Sequence, residues 1–242
     1  MKTNRLLAFV SLPLVLLAAK GAQAMMHNYE IANTVEARRV DAGFRFDDFE
    51  NAAWAKARPA HIARYWSGEA APPERRAEAR LVYTDEAIMV RFEGPQAEPL
   101  VVSAAPRLDQ KSIGLWDRDV FEIFIAPDSN APERYFEFEA APNGEWLDLA
   151  IHVRPEGRET DWHFRSGMRS ASRVSNGRVE TALRVPWKAL GGRAPRAGER
   201  WRVNLFRCVG AGATRGYITW QPTHTPEPGF HVPEKFGWLV FK

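Results

Sequence analysis

The chain has 242 residues, with 33 Lys and Arg, 30 Asp and Glu, and a formal net charge of +3. Three bases (Lys2, Arg5 and Lys20) lie in the first 24 residues, which hold no acid, so 33 minus 3 leaves 30 bases against 30 acids in the remainder. A neutral remainder has no basic stripe for a phosphate backbone, which argues against nucleic acid as a partner. The single cysteine, Cys208, excludes an internal disulfide and is expected to be a buried, inert thiol.

Residues 1–24 have the pattern of a secretion signal. Lys2 and Arg5 precede an apolar run over residues 6–19, and Ala22-Gln23-Ala24 supplies small residues for cleavage. At roughly 14 residues the run is shorter than the ~20 that a membrane-spanning helix needs. We therefore expect a secreted or periplasmic protein without membrane attachment after processing. A retained anchor, or a start at Met25 or Met26, stays open.

The rest of the chain has the pattern of an all-β protein. Residues 25–40 are expected to form an irregular lead-in, and short β-prone runs then alternate with turn signals to the end of the chain. Asn143-Gly144 and Asn176-Gly177 predict tight hairpins. The predicted strands are 79–83, 88–92, 100–103, 120–125, 135–140, 146–153, 168–174, 178–185, 201–209, 217–221 and 238–241, with one helical turn at 186–190. We predict a single antiparallel β-sandwich over residues 41–242, of jelly-roll or immunoglobulin-like type, with about ten or more strands.

Carboxylates within two of these strands are candidates for chemistry. In the run from Tyr135 to Glu139, alternation places Phe136 and Phe138 on one face, and Tyr135 with both glutamates on the other. The Phe face is expected to be core and the Glu face to be solvated, with a metal or a ligand as the alternative, because unpaired buried carboxylates are costly. Glu122 lies in a more apolar strand, so it needs a partner such as Arg118 or a place at the sandwich rim.

Two loop segments combine aromatic and polar residues. Trp116 follows Gly114 and precedes Asp117, Arg118 and Asp119, a setting that favours an exposed ring beside charged groups over a core position. Near the C-terminus, Phe230 and His231 follow a turn-rich run. A flat ring beside hydroxyl-binding carboxylates suits a shallow ligand site. The alternatives are a packed loop phenylalanine and a structural histidine.

The order of these motifs resembles that of family 9 carbohydrate-binding modules, within the wider DOMON-like sandwich group. The resemblance covers about residues 41–242. It rests on a series of short segments. Each segment alone is weak evidence, but their order along the chain is specific to the family. They are Phe46-Asp47-Asp48, Ala53-Trp54, Ala79-Arg80-Leu81-Val82-Tyr83-Thr84-Asp85, Trp116-Asp117-Arg118-Asp119-Val120-Phe121-Glu122-Ile123-Phe124-Ile125, Val179-Glu180, Val185-Pro186-Trp187, Trp201-Arg202-Val203-Asn204-Leu205, Trp220-Gln221-Pro222, Phe230-His231-Val232-Pro233 and Phe236-Gly237.

The resemblance implies a non-catalytic protein that holds the end of an oligo- or polysaccharide between two aromatic rings. Trp116 is then one platform and Phe230 the other, where better-known modules carry tryptophan. Glu122 is the hydroxyl acceptor, and Glu137 stands where the family has a basic residue. Arg118 and His231 complete the predicted ligand-binding set. A structural calcium ion is implied, with Asp119 as its candidate ligand, and separate glycoside hydrolases are implied as partners in carbohydrate catabolism.

Two other functions stay open at this stage. A glycoside hydrolase would use Glu122 with Glu137 or Glu139, because such enzymes need a pair of carboxyl groups at a fixed separation. A haem-binding electron-transfer domain would use Met and His ligands, with Met89 and Met168 as the methionines in strands. Neither alternative has a spacing motif to support it.

Overall fold

The computed structural model describes residues 33–242, and the predicted secretion signal lies outside them. Within this part the regular structure consists of β-strands and short 3-10 helices, which confirms the all-β class. None of its helices is long and apolar enough to cross a membrane. The strands are β1 (Thr34–Arg39), β2 (Ala60–Ile62), β3 (Arg64–Tyr65), β4 (Ala77–Tyr83), β5 (Ala87–Pro95), β6 (Val120–Ala126), β7 (Arg134–Ala140), β8 (Trp146–Arg154), β9 (Gly157–Asp161), β10 (Arg169–Ser175), β11 (Arg178–Pro186), β12 (Arg200–Val209), β13 (Gly216–Thr219) and β14 (Gly237–Phe241).

The short 3-10 helices lie in the connections between strands. One of them, Trp187–Ala189, confirms the helical turn predicted at 186–190. The others are Ala52–Lys56, Pro73–Arg75, Leu115–Asp117, Gly212–Thr214 and Pro233–Lys235.

The strands form one mixed sheet in the order β10-β11-β5-β4-β1-β14-β12-β6-β7-β8-β9, with β2, β3 and β13 attached beside this path. The main apolar cluster joins β4, β5 and β11 with β6, β7 and β12, as the core between the layers of a sandwich does. Phe92 of β5 stacks on Phe121 of β6, with ring centroids 5.1 Å apart. The predicted β-sandwich is therefore confirmed, except that β1 pairs with β4 in parallel.

A second apolar cluster covers the other face of β6, β7, β8 and β12. It contains Phe124, Tyr135, Leu149, Phe206 and Phe236, each buried. Because β6 and β7 are covered on both faces, their outward residues are as buried as their core residues. This second face positions the candidate site described below.

Two segments differ from the sequence-based expectation. Residues 34–39, expected to be irregular, form β1 between β4 and β14, so the strand pattern begins ahead of residue 41. Residues 100–103, expected to be a strand, form none. There the Val101 carbonyl accepts the Asp119 N–H at 2.8 Å and the Val101 N–H donates to the Asp119 carboxylate at 3.3 Å, so a side chain replaces a ladder partner.

The two Asn-Gly hairpins form where predicted. Asn176 and Gly177 both have positive φ values, 51° and 69°, as a type I′ turn between β10 and β11 requires. Asn143 and Gly144 lie between β7 and β8, and Gly144 has a φ of 90°. These turns fix the strand registers, including that of β7 against β8, on which the site depends.

Candidate functional site

A cavity of about 240 Å³ opens on the second face of the sheet, above β6, β7, β8 and β12. All of the predicted ligand-binding residues except Arg118 line it. Its walls also include β9 and the loop before the last 3-10 helix. The lining residues are Trp116, Glu122, Glu137, Leu149, Ile151, Arg158, Thr160, Trp162, Cys208, Tyr217, Pro228, Gly229, Phe230 and His231.

Two tryptophans form one wall of the cavity. Trp116 lies in the 3-10 helix Leu115–Asp117, which begins after Gly114 at a φ of 79°. The guanidinium of Arg215 donates to the backbone carbonyl of Trp116 and holds this turn in place. Trp162 is 43% exposed, and its ring lies 6.3 Å from that of Trp116 at an angle of 47°. The two rings therefore present a continuous aromatic surface.

Phe230 provides a second aromatic surface. Its ring stacks on Phe206 of β12 at a centroid distance of 4.1 Å and an angle of 13°, and it is only 8% exposed. Tyr217 of β13 meets it edge-on at 6.0 Å. The loop is held by Thr223, whose hydroxyl donates to the Gly229 carbonyl at 2.7 Å. Phe230 thus lines the cavity and supports the fold at the same time.

Three glutamates lie on β6 and β7 beneath these rings. Glu122 is directly opposite Glu139 in the antiparallel register, and Glu137 follows on the same face of β7. They are 2%, 0% and 3% exposed, respectively, so the expectation of a solvated Glu face is wrong. The cause is the second apolar cluster, which covers this face of the strands. Glu122 and Glu137 reach the cavity, whereas Glu139 lies behind them.

Burial dominates the electrostatics of these carboxyl groups. It raises the pKa of Glu122 to about 8, with repulsion from Glu137 as a further cause. Burial also raises the pKa of Glu137, and that of Glu139 well above its ordinary value. The buried Cys208 thiol donates to Glu122 Oε1 at 3.3 Å, and burial raises the thiol pKa, in keeping with the inert thiol predicted.

His231 is anchored at the edge of the same cluster. Its Nδ1 pairs with the Tyr135 hydroxyl at 2.6 Å, and its Nε2 lies 4.0 Å from Glu137 Oε2. Its ring stacks on Phe124 at 5.1 Å. Burial, aided by Arg158, lowers the pKa of His231 to about 3, so the imidazole is neutral near pH 7. A neutral ring offers a hydrogen-bonding nitrogen to the cavity.

Arg118 and Asp119 lie away from the cavity lining. Arg118 donates to Glu145 at 2.7 Å, so it does not pair with Glu122 as expected. The Asp119 carboxylate accepts N–H groups from Gln96, Val101 and Gly210, and burial raises its pKa. These hydrogen bonds account for the buried carboxylate of Asp119 without a cation, and calcium at this position stays a prediction.

Several cavity residues were not predicted from the sequence. Trp162, Arg158 and Thr160 belong to β9 or the turn after it, and β9 is a polar strand without the alternation that marks β6 and β7. Tyr217 belongs to β13, where the sequence predicted a strand but no binding residue. A single signal could have found Trp162: like Trp116, it is a tryptophan among polar residues, next to Asp161 and His163.

The methionines considered for haem lie in other parts of the fold. Met89 belongs to the apolar cluster around Trp54, and Met168 to the main core. Neither lines the cavity that contains His231. Within residues 33–242, no methionine joins His231 in the cavity lining.

A β-sandwich with an aromatic-walled cavity on one sheet face has the architecture of a carbohydrate-binding module. The profile of Carbohydrate-binding family 9 matches residues 63–241, and the chain belongs to that family. The resemblance to family 9 that the motifs indicated is thereby confirmed. No curated protein matches the sequence.

Solved structures share the fold at low sequence identity. A Bacteroides uniformis protein to which carbohydrate binding is attributed has a TM-score of 0.66 and 18% identity, over 87% of this chain and 99% of its own. A family 9 module of Caldicellulosiruptor kristjanssonii in complex with glucose has a TM-score of 0.62 and 14% identity, over 86% and 95%. Its complex with cellotriose gives 0.61 and 14%, over 86% and 93%.

Proposed function

We propose that the chain binds the end of an oligosaccharide in this cavity. The rings of Trp116, Trp162 and Phe230 contact the apolar faces of the sugar, and the carboxyl groups of Glu122 and Glu137 pair with its hydroxyls. The observation that carries the proposal is the meeting of these aromatic and carboxyl groups in one cavity of about 240 Å³. Aromatic faces with a few convergent polar groups are the usual means of binding a ligand that is apolar on its faces and polar at its rim.

The size of the cavity supports a chain end over a chain interior. Drug-sized ligands occupy pockets of about 300–1,000 Å³, and this cavity is smaller. Pro228 and Gly229 close one side, and the Trp116–Trp162 wall closes another. A terminal sugar residue enters such a space with less rearrangement than an internal segment.

The solved family 9 module supplies the first probes, because it was crystallised with glucose and with cellotriose. We infer that a short β-linked glucan or a related hemicellulose fragment is the ligand class. The departures at Phe230 and Glu137 from the better-known modules alter the contacts to the second ring face and to the hydroxyls, so the preferred sugar can differ from theirs.

We further propose export by the signal in residues 1–24 and a role in carbohydrate catabolism beside separate glycoside hydrolases. The charge, apolar run and small-residue site support export. Mass determination of the N-terminus in the periplasm or medium tests it. A chain that starts at Met25 after cleavage is expected, and an intact residue 1 in the cytoplasm contradicts export.

Calorimetric titration with glucose, cellotriose and xylan fragments tests the binding proposal. Trp162→Ala is the sharpest variant, because the ring is 43% exposed and its loss costs the fold little. Trp238→Ala is the matched control, since that half-buried ring lies on β14 beneath Arg200 and Arg202 and does not line the cavity. We expect affinity to fall at least about tenfold in Trp162→Ala. Equal affinity in both variants overturns the aromatic contact.

A further inference from the structure

Two of the three buried glutamates, Glu137 and Glu139, have carboxyl oxygens without the partners that buried carboxyl groups need. Neither oxygen of Glu139, nor Oε2 of Glu137, accepts a hydrogen bond within residues 33–242. Glu139 is 0% exposed, so bulk solvent does not reach its carboxyl group. A buried charge without a partner is strongly destabilising, so buried carboxylates are normally paired with a basic group or bound to a metal.

Three basic groups lie near these carboxyl groups. Arg158 lines the cavity, and its charge partly opposes the burial that raises the pKa of Glu137, but neither Glu137 Oε2 nor either oxygen of Glu139 accepts a hydrogen bond from it. The guanidinium of Arg215 donates to the backbone carbonyls of Gly210, Trp116 and Arg118. His231 Nε2 lies 4.0 Å from Glu137 Oε2, beyond hydrogen-bond distance. Within the described residues, both oxygens of Glu139 and Oε2 of Glu137 therefore accept no hydrogen bond from a basic side chain.

The spacing of the carboxyl oxygens fits a metal ion. One oxygen each from Glu122, Glu137 and Glu139 lies within 4.8 Å of the other two. Calcium–oxygen bonds are about 2.3–2.6 Å long, so oxygens that share one calcium ion are at most about 5 Å apart. Carboxylate oxygens are the ligands that calcium, magnesium and manganese prefer over softer metals.

The structure assigns a divalent-cation site of the calcium class to Glu122, Glu137 and Glu139. The unpartnered, fully buried Glu139 is the observation that separates this cluster from ordinary acidic surfaces. Two positive charges offset most of the charge of three carboxylates, and the ion supplies the contacts that the orphaned oxygens lack. This assignment does not depend on the proposed sugar.

The same site reaches the ligand cavity. Glu122 and Glu137 line the cavity, whereas Glu139 lies behind them, so the open coordination positions of the ion face the cavity. Calcium accepts six to eight oxygen ligands, and three carboxylates leave positions free. Adjacent hydroxyls of a sugar are suitable ligands for these positions, a step that rests on the proposed function.

Direct titration of the chelator-treated chain tests the cation site. The full chain is stripped with EDTA and dialysed, and calcium, magnesium and manganese chlorides are added in separate calorimetric runs. We expect one calcium or manganese ion per chain and a higher midpoint of thermal unfolding in its presence. Absence of binding by the folded chain with all three ions overturns the assignment.

Glu139→Gln tests the ligand set, because Glu139 lies outside the cavity lining. The variant keeps the shape of the side chain and is expected to lower cation affinity at least about 100-fold. Glu93→Gln is the control, since it makes the same change at a half-buried glutamate on β5, paired with Arg91 and Arg178. If Glu139→Gln binds the ion as the wild type does, the assigned ligand set is wrong.

Sugar titrations with and without calcium separate the two proposals. Sugar affinity that falls at least about tenfold in EDTA supports contact between the ion and the sugar hydroxyls. Cation binding with unchanged sugar affinity keeps the cation site and overturns that contact. Cation binding with no sugar binding keeps the cation site and overturns the proposed function alone.

Discussion

Glu122 on β6 and Glu139 on β7 lie directly opposite each other across an antiparallel pair, and both are buried. Like charges in this position destabilise a sheet, and burial raises the cost. A face built only for packing would carry apolar residues here, as Phe124 and Leu149 do on the same face. Glu122, which lines the cavity, and Glu139 behind it therefore mark this part of the sheet as a functional site, since groups with strongly shifted pKa values concentrate at such sites.

Phe230 offers a test that separates binding from folding. Phe230→Leu keeps apolar bulk on Phe206 but removes the ring face in the cavity, so sugar affinity is expected to fall about tenfold, or about 1.4 kcal/mol. Phe236→Leu is the matched control, because Phe236 lies in the same cluster and does not line the cavity. Calorimetric titration of both variants with sugar distinguishes the two roles. An equal loss of sugar affinity in both variants means that Phe230 acts through packing alone. Phe230→Ala is less informative, since it removes about 3–5 kcal/mol of core packing.

Glu145 links stability to pH at the Arg118 loop. Burial tends to raise its pKa, but hydrogen bonds from Asn143, Ser112, the Arg107 N–H and Arg118 outweigh this and lower it below 4.5. A carboxyl group with a lowered folded pKa stabilises the fold above its unfolded pKa, and the contribution is lost as the pH falls through the folded pKa. Glu145→Gln is therefore expected to cost about 1 kcal/mol near pH 7 and progressively less below pH 4.5.

Urea unfolding of the wild type and Glu145→Gln at several pH values measures this difference. A difference in unfolding free energy that stays constant from pH 7 to pH 3 contradicts the lowered pKa of Glu145.

Because Arg118 lies outside the cavity lining, Arg118→Ala is expected to lower stability and to change sugar affinity less than twofold. A large loss of affinity would return Arg118 to the ligand-binding set.

Strand β1 predicts the N-terminal limit of the folding unit. It lies between β4 and β14, where Ala37 pairs with Leu81 and its carbonyl accepts the Lys242 N–H at 2.9 Å. A chain that begins at Asp41 leaves the two neighbouring strands with exposed edges. We expect it to lose cooperative thermal unfolding, whereas a chain that begins at Asn33 keeps it. Identical unfolding midpoints for the two chains contradict the placement of β1.

Hydrolysis is expected to be absent. Both the retaining and the inverting mechanism need one ionised carboxylate beside a carboxylic acid. Glu122 and Glu137, the two carboxyl groups at the cavity, are both assigned above as cation ligands, and Glu139 does not reach the cavity. Incubation of the purified chain with cello- and xylo-oligosaccharides is expected to release no reducing ends. Release that is lost in Glu122→Gln contradicts the binding account and favours a glycosidase.

Local patterns predicted most of the strands. Apolar alternation and the Asn-Gly turns located β6, β7, β8, β10 and β11, because strand period and turn chemistry are properties of neighbouring residues. They missed β1, whose place depends on its distant partner β4, and the short strands β2 and β3. They also missed β9, which forms a hairpin with β8 but has a polar sequence without a strand-like apolar pattern. The 100–103 segment has strand-like residues, but its backbone N–H at Val101 donates to the Asp119 carboxylate and not to a neighbouring strand.

Motif order located residues that line one cavity, namely Trp116, Glu122, Glu137, Phe230 and His231. Their contact with a ligand stays a prediction. Trp162 was missed because β9 gives no apolar signal, and the contact of Trp162 with Trp116 joins parts of the chain far apart in sequence. The burial of Glu137 and Glu139 depends on a second apolar cluster that covers the Glu face, and alternation within one strand does not reveal what covers it.

The indole resonances of the nine tryptophans test the central claim most directly. Two of them, Trp116 and Trp162, line the cavity. In a two-dimensional nitrogen–proton spectrum titrated with cellotriose and calcium, we predict that the indole signals of these two shift together and saturably, while those of Trp54, Trp187 and Trp238 stay in place. Saturable binding that leaves Trp116 and Trp162 unmoved, or that shifts Trp238 instead, contradicts the assignment of the sugar to this cavity.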